Sequence, residues 1–388
     1  MNICVLRHSY FPEDPRLRKE VYALLEKGYA VDIICLRKPG ELRYEVVNGA
    51  RVYRIPLQHM RKGVVRYFIE YSLSFIMMGG TLSSLFLSRR YDCVQVNTMP
   101  DGLVFSTIIP RLSGARVVLD LHEPTPELWV TKYGSKRLRA LLYFQIKIEQ
   151  LAIRYADHCI TVTEPLRRRF AERGAPLSKI TVVSNACAEG TFDRTCESQG
   201  HGSDKLFRLV THGLIEKRYG HDLVVEAIST IKASIPNLMY EVYGSGGNQA
   251  AVEKLAGLRG CAHMVRFFGH LPMNQLLRNL EAADVAVVPM QRSPYSELTD
   301  TTKMYEYIAL RKPIIISRLT AVLENFDDSC MMFFEPGNAD DLARCILALW
   351  KDQARRQSLV ENASRRYESL RWRKTKETYC AVIEGSTR

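Results

Sequence analysis

Arg116-Val117-Val118-Leu119-Asp120-Leu121 runs directly into His122-Glu123-Pro124, an apolar, β-branched stretch that breaks at polar residues. A strand covered on both faces reads this way, as a continuous apolar run rather than an alternation. Runs of the same kind recur at Asn2 to Leu6, Ala30 to Leu36, Asp92 to Asn97 and His158 to Thr163, with helical periodicity between them. Strand alternating with helix predicts a parallel α/β sheet. After the polar stretch Glu197 to Lys205, expected to be a linker, the pattern starts again at Phe207 to Thr211, Leu238 to Tyr243, Val265 to Phe268, Val285 to Pro289 and Pro313 to Ser317. Two open α/β domains are therefore expected, and in such sheets a ligand lies beyond the carboxyl ends of the strands. Past Pro336-Gly337 the chain is predicted helical over Asp340 to Trp350 and Asp352 to Tyr367, before the basic, aromatic segment Leu370 to Lys374.

Composition agrees with two folded domains. The 388 residues exceed what one ordinary core holds, and 46% hydrophobic with 25% charged residues is the balance of a folded chain. Lys and Arg outnumber Asp and Glu by 54 to 42, a surplus that favours phosphates or anionic surfaces without choosing between them. No zinc-finger or RNA-binding motif accompanies that charge, so no nucleic-acid partner is expected. The ten cysteines form no Cys-x-x-Cys pair, and several lie inside apolar runs (Cys4, Cys35, Cys93, Cys159), which reads as reduced, buried thiols in the cytoplasm. Met1 to Leu6 enters a strand without the pattern of a signal peptide. Tyr67 to Leu87 is long and apolar, but Glu70, its serines and Gly79-Gly80 favour a buried or membrane-apposed helix over a bilayer span.

The segment richest in chemistry is Ser296-Glu297-Leu298-Thr299-Asp300-Thr301-Thr302-Lys303-Met304-Tyr305-Glu306-Tyr307, ahead of the strand Pro313 to Ser317. A helix starting near Thr302 would use that hydroxyl as its cap and present free N–H groups, a terminus that attracts phosphate. Lys303 and Glu306 share one face of that helix. The ammonium suits a diphosphate and the carboxylate suits vicinal ribose hydroxyls, although an ordinary surface ion pair has the same spacing. Glu306 falls one place beyond the capping-box position, so capping does not explain it. Tyr243-Gly244-Ser245-Gly246-Gly247 follows a strand and leaves room for close backbone approach to a ligand. It is not a dinucleotide fingerprint, which would follow the first strand, where Arg7-His8-Ser9-Tyr10 stands instead.

Together, Lys303-x-x-Glu306-Tyr307, Tyr10-Phe11-Pro12-Glu13-Asp14-Pro15-Arg16, Asp120-Leu121-His122-Glu123-Pro124, Thr211-His212-Gly213 and Phe268-Gly269-His270-Leu271-Pro272 resemble the family 4, or group 1, retaining glycosyltransferases over nearly the whole chain. The resemblance implies an α/β GT-B fold of two Rossmann-like domains facing a central cleft. Residues 1–198 would form the acceptor-side domain and 199–368 the nucleotide-sugar-binding domain, with 369–388 a C-terminal helix packing back on the first. It implies that Glu306 binds the donor ribose and that His122 faces the transferred sugar near the leaving phosphate. Asp120 and Glu123 are placed to orient the His122 ring. Thr302, Lys303, Gly213, Gly244, Gly246 and the strand end Phe268, Gly269, His270 would surround the donor, and Asp14 and Arg16 are candidates for the cleft wall on the acceptor side. A helix N-cap is the simpler role for Asp14.

The chain also departs from the family. An earlier Glu expected with seven residues between it and Glu306 is replaced by Leu298, with Glu297 one place further away. Where relatives carry a phosphate-binding Arg and Lys, this chain has Leu214 and Tyr219, leaving Lys217 and Arg218 as candidates for the charge. No Asp-x-Asp occurs, so no metal is expected to bridge the diphosphate, and no cofactor is expected beyond the nucleotide sugar, which is a substrate. The expected activity is retaining transfer of a sugar from a UDP-sugar, or second a GDP-sugar, to a glycan acceptor, lipid-linked and reached at the cytosolic face of an anionic membrane. A GT-B epimerase or phosphorylase, or a non-catalytic nucleotide-sugar-binding subunit, stays open as an alternative.

Overall fold

The structure, a computed structural model, describes residues 1–59, 64–134, 139–187, 190–192 and 206–386. The linker expected over Glu197 to Lys205, and with it the 198/199 boundary, lies outside these residues. The chain divides into two compact units, one of Met1–Ser184 with Trp372–Arg388 and one of Asn185–Arg371.

The first unit is built on strands β1 (Asn2–Arg7), β2 (Ala30–Leu36), β3 (Tyr44–Val47), β4 (Ala50–Ile55), β5 (Cys93–Asn97), β6 (Arg116–Leu121), β7 (His158–Thr161) and β8 (Ile180–Val182). They lie in the order β3-β4-β2-β1-β5-β6-β7-β8, and every pair is parallel except β3–β4. The strand order reverses between β1 and β5, so a crevice is expected at their carboxyl ends. Val117, Val118 and Leu119 are wholly buried, which the absence of alternation in this run foretells. The antiparallel pair β3–β4 is not among the sequence-derived strands. Its turn is Asn48-Gly49, both at positive φ (48° and 94°), the residue pair that a tight hairpin demands.

Three helices complete what positions the site in this unit. Pro15–Glu26 starts at Asp14, whose carboxylate accepts from Arg16 N and Leu17 N, with proline at its first turn. Val64–Ser88 buries Glu70, Ser74, Met78, Leu82 and Phe86 and exposes Phe68, Ile69, Phe75 and Ile76. Within it, Phe68–Ser88 is long and apolar enough to cross a membrane by length and composition. Trp372–Glu384 lies against Pro15–Glu26, β5 and β7, where Tyr379 donates to Gln95 Oε1 at 2.7 Å and Trp372 lies under Lys19 Nζ, 4.6 Å from the ring centre.

The second unit carries β9 (Phe207–His212), β10 (Leu238–Tyr243), β11 (Val265–Gly269), β12 (Val285–Val288), β13 (Ile314–Ser317) and β14 (Met332–Phe334), all parallel, in the order β11-β10-β9-β12-β13-β14. Here the order reverses between β9 and β12. Its core packs β9 and β10 against the helices His221–Ile231 and Ala339–Lys351 through Leu209, Val224, Ile228, Val242 and Ile346. Each of the nine cysteines among the described residues is buried and unbridged, so apolar burial rather than covalent stapling holds both units.

Candidate functional site

In the first unit a polar cluster sits at the carboxyl ends of β1, β5 and β6, where the strand order reverses. The backbone N–H of His122 donates to Thr98 Oγ1 at 3.2 Å, fixing the residue as the chain leaves β6. Arg16, on the first turn of Pro15–Glu26, brings its guanidinium to His122 Nδ1. A guanidinium only donates, so Nδ1 accepts and the ring proton sits on Nε2, 3.1 Å from Asp120 Oδ2. Asn97 Nδ2 stands 3.1 Å from both Asp120 Oδ2 and Nε2. The imidazole is thus held on both nitrogens by named partners.

Behind it lies a buried carboxyl pair. Burial pushes the Asp120 carboxyl well up, and the neighbouring Glu20 carboxyl adds to this while Arg16 and Arg7 oppose it. Burial also raises Glu20, against the pull of Arg16 and Lys19. Two buried carboxyls side by side retain a proton that isolated ones would lose. Gln95 donates to Glu20 Oε2 at 2.9 Å and closes the inner wall. Burial alone would raise Asp14, yet Arg7 at 2.9 Å and the helix N–H groups hold its carboxyl below the usual range. Glu20, Asp120 and His122 offer ligand atoms within 4.8 Å of one another, a spacing that a metal ion also tolerates.

The sequence pointed to Asp120 and Glu123 as the groups that orient the ring. Asp120 does so; among the described residues no hydrogen bond or ion pair joins Glu123 to it, because Glu123 lies past the strand end and half-buried. Arg16, assigned to the cleft wall, touches the imidazole itself. Asn97, Thr98 and Glu20 were missed. Asn97 ends β5 and pairs with Asp120 near the end of β6, and polar residues at the ends of apolar strands were the available signal.

In the second unit the helix Thr302–Ala309 begins one residue earlier than expected at its cap. Thr301 is the N-cap, without a side-chain capping bond, so the Thr302 hydroxyl does not cap this helix. Glu306 Oε2 accepts from His212 Nε2 at 2.6 Å. The other ring nitrogen of His212 lies 2.8 Å from the Tyr307 hydroxyl, which also accepts the His212 backbone N–H at 3.0 Å. Tyr307, buried, therefore fixes the tautomer of His212, and His212 fixes one oxygen of Glu306, leaving Oε1 without a hydrogen bond among the described residues. His212, which ends β9, was not among the expected site residues.

Lys303, buried on the same helix face, directs Nζ toward Gly213, where an added Cβ would lie 3.5 Å from it. Burial pulls this ammonium down to about 8; Glu306 opposes the fall and Arg218 adds to it. Nζ lies 4.6 Å from the centre of the Tyr219 ring, and the Arg218 guanidinium lies 5.0 Å from the same ring and 5.6 Å from that of Tyr295. Tyr219 thus gathers two cations on one aromatic ring, each attracted by its quadrupole. Arg218 also pairs with Glu216 at 3.1 Å, whereas Lys217 is exposed.

The glycines have a packing role of their own. A Cβ on Gly244 would come 1.9 Å from Gly213 O, and one on Gly246 would come 2.2 Å from Ile215 O. Gly213 N donates to Tyr243 O at 2.8 Å and Ile215 N to Ser245 O at 3.1 Å. These glycines therefore let two loops pack backbone to backbone, which sets the position of Gly213 opposite Lys303. Phe268, exposed, stacks on Tyr243 at 4.9 Å; Gly269 bridges to Gly244, and His270 is exposed at the strand end. Glu297 has both oxygens engaged, by Arg292 at 2.7 Å and by Thr320 N at 2.8 Å, and Leu298 is buried.

Models of two domains match this chain: glycosyl transferases group 1 over residues 193–366 and a glycosyl transferase 4-like domain over residues 14–186. The glycogen synthase of Mycobacterium tuberculosis (strain CDC 1551 / Oshkosh) is 23% identical over 66% of this chain, and the match covers 60% of that protein, less than two thirds of its length. Among solved structures, sucrose-phosphate synthase from Thermosynechococcus elongatus superposes with a TM-score of 0.79 at 18% identity, over 100% of this chain and 99% of its own. HepE from Anabaena, solved in complex with UDP, superposes with a TM-score of 0.73 at 14% identity, over 99% of this chain and 100% of its own.

Proposed function

The chain belongs to the group 1 glycosyltransferases and has their two-domain GT-B fold, and we propose that it transfers a hexosyl group from a UDP-sugar to a glycan acceptor with retention of configuration. The observation that carries the donor half is the Glu306–His212–Tyr307 relay beside buried Lys303. A carboxylate with one oxygen tied by an imidazole keeps the other for the ribose hydroxyls, and an ammonium already stripped of water favours a diphosphate. A relative solved with UDP supports uridine as the base. Lys303, Arg218 and the N–H groups at the start of Thr302–Ala309 supply fixed positive charge where the leaving diphosphate develops its own. No step in this scheme requires a divalent ion at the diphosphate.

His122 and Arg16 act on the sugar in this reading. Both nitrogens of His122 are engaged, so its contribution is to position the sugar and not to shuttle a proton. The acceptor hydroxyl attacks from the face of the departing phosphate, and a phosphate oxygen takes its proton. A groove of about 560 Å³ between Val64–Ser88 and Arg139–Tyr155, lined by Phe68, Phe75, Trp129, Phe144 and Ile148, supports an acceptor with an apolar part, met at the cytosolic face of a membrane. The test is a panel of nucleotide sugars scored for thermal stabilisation and for nucleotide release. A UDP-sugar should stabilise the protein most, with release accelerated by a glycolipid acceptor; a preference for GDP-sugars would overturn the choice of base.

A further inference from the structure

Outside the site described, the first unit holds a second convergence of ligating groups, drawn from three separate elements. His8 directly follows β1, His59 follows β4, and Glu70 lies in the helix Val64–Ser88. Glu70 Oε1 stands 3.0 Å from His59 Nδ1 and 3.2 Å from His8 Nε2. The His8 and Glu70 side chains are 3% and 2% exposed, while that of His59 is 27% exposed. The edges of Tyr71 and Tyr10 pack on the two imidazoles.

An ordinary hydrogen-bonded triad does not account for this geometry. Both imidazoles meet the same carboxylate oxygen, which has lone pairs for both, yet His8 Nε2, although 3.2 Å from it, makes no hydrogen bond among the described residues. A buried ring nitrogen aimed into a polar group without a bond is costly unless something else meets its lone pair. The spacing fits that something. Ligand atoms at about 2.0–2.1 Å from a tetrahedral ion lie about 3.3 Å apart, close to the two distances to Glu70, and all three ligand atoms lie within 4.8 Å of one another. Two imidazoles and one carboxylate match the preferences of zinc, with the fourth position left to water.

We propose that His8 Nε2, His59 Nδ1 and Glu70 form a zinc-binding site. The ion fastens the N-terminal part of Val64–Ser88 to the carboxyl end of β1, next to Arg7, which in turn bonds Thr98 and Asp14. It is built from residues of the first unit and shares none with the Lys303 and Glu306 site of the second.

The test uses the full chain, freed of metal by chelation and titrated with Zn²⁺ or Co²⁺ alone. One equivalent of Zn²⁺ should bind with a Kd below about 1 μM. Co²⁺ should give the intense visible bands of a four-coordinate ion, and Glu70→Gln and His59→Ala should each weaken zinc at least about 100-fold. Replacing exposed His263 should change nothing. Wild-type protein that takes up no stoichiometric zinc overturns the site whatever the variants do. So does zinc affinity unchanged in His59→Ala, the variant at the most exposed ligand and the least disturbing to the core.

Discussion

Raising the pH from about 7 to about 9 should weaken the binding of UDP roughly tenfold, and Lys303→Met should remove that dependence. The reasoning starts from burial, which pulls the Lys303 ammonium down from 10.5 to about 8 in the free protein, with Glu306 opposing. A diphosphate beside Nζ favours the charged form, so binding takes up a proton wherever the free protein has lost it. Below about pH 8 the lysine is already charged and affinity is flat; above it affinity falls by up to tenfold for each pH unit. The fraction charged drops from about ten elevenths to about one eleventh across this span, which sets the size of the effect. The same shift has a consequence for stability. Between about 8 and 10.5 the unfolded chain binds more protons than the folded one, so the contribution of this group to stability improves as pH rises and is worst below about 8. Removing the charge should therefore stabilise the ligand-free protein at neutral pH by up to about 3 kcal/mol. Calorimetric titration with UDP and thermal melts of both proteins measure the two effects. Wild-type affinity that is flat across this range, or a Met variant with the same slope, would refute the role given to Lys303.

Four further outcomes follow from the site. Glu306→Ala should weaken donor binding by about 3 kcal/mol, on the order of a hundredfold in Kd, as two hydroxyls lose a charged acceptor; unchanged donor affinity in a folded variant counts against the assignment. His122→Ala should leave UDP affinity near wild type while turnover at saturating donor collapses, a pattern checked by comparing Kd with kcat. UDP release from the donor without acceptor should survive exhaustive chelation; loss restored by magnesium or manganese contradicts the proposed electrostatics. Vesicle flotation should show binding to anionic but not neutral liposomes, weakened by salt and by changing Arg61, Lys62 and Arg66 together to Ala, since each basic residue near such a surface is worth roughly 1 kcal/mol. Arg66 is exposed; Arg61 and Lys62, like the basic Lys136 and Arg137 of the same unit's sequence and the side chain of Arg139, lie outside the described residues.

Most of the fold was legible because parallel strands buried on both faces write themselves as unbroken apolar runs. Ala30–Leu36, Arg116–Leu121 and Leu238–Tyr243 have the bounds that their sequences predict. The elements missed are those where that rule weakens. Tyr44–Val47 is a four-residue edge strand that alternates exposed with half-buried residues, and Ala50–Ile55 breaks its apolar run with Arg51 and Arg54, so only the Asn48-Gly49 turn between them marks the pair. Ile180–Val182 and Met332–Phe334 are three residues each, too short for periodicity to register.

The site was legible to a different depth. Glu306 stood out by its spacing from Lys303, and His122 through the family resemblance alone, but what holds them does not lie nearby in sequence. His212 reaches Glu306 across 94 positions, and Arg16 reaches His122 across 106. Such pairings are set by which strands end at the reversal of the sheet, information that topology carries and local spacing lacks. Tyr219 shows the limit most clearly. Where the family resemblance implies a lysine it looked like a lost phosphate contact, yet its ring centre lies 4.6 Å from Lys303 Nζ and 5.0 Å from the Arg218 guanidinium. A departure from a family pattern is therefore weak evidence of lost function until the neighbours of the new side chain are known.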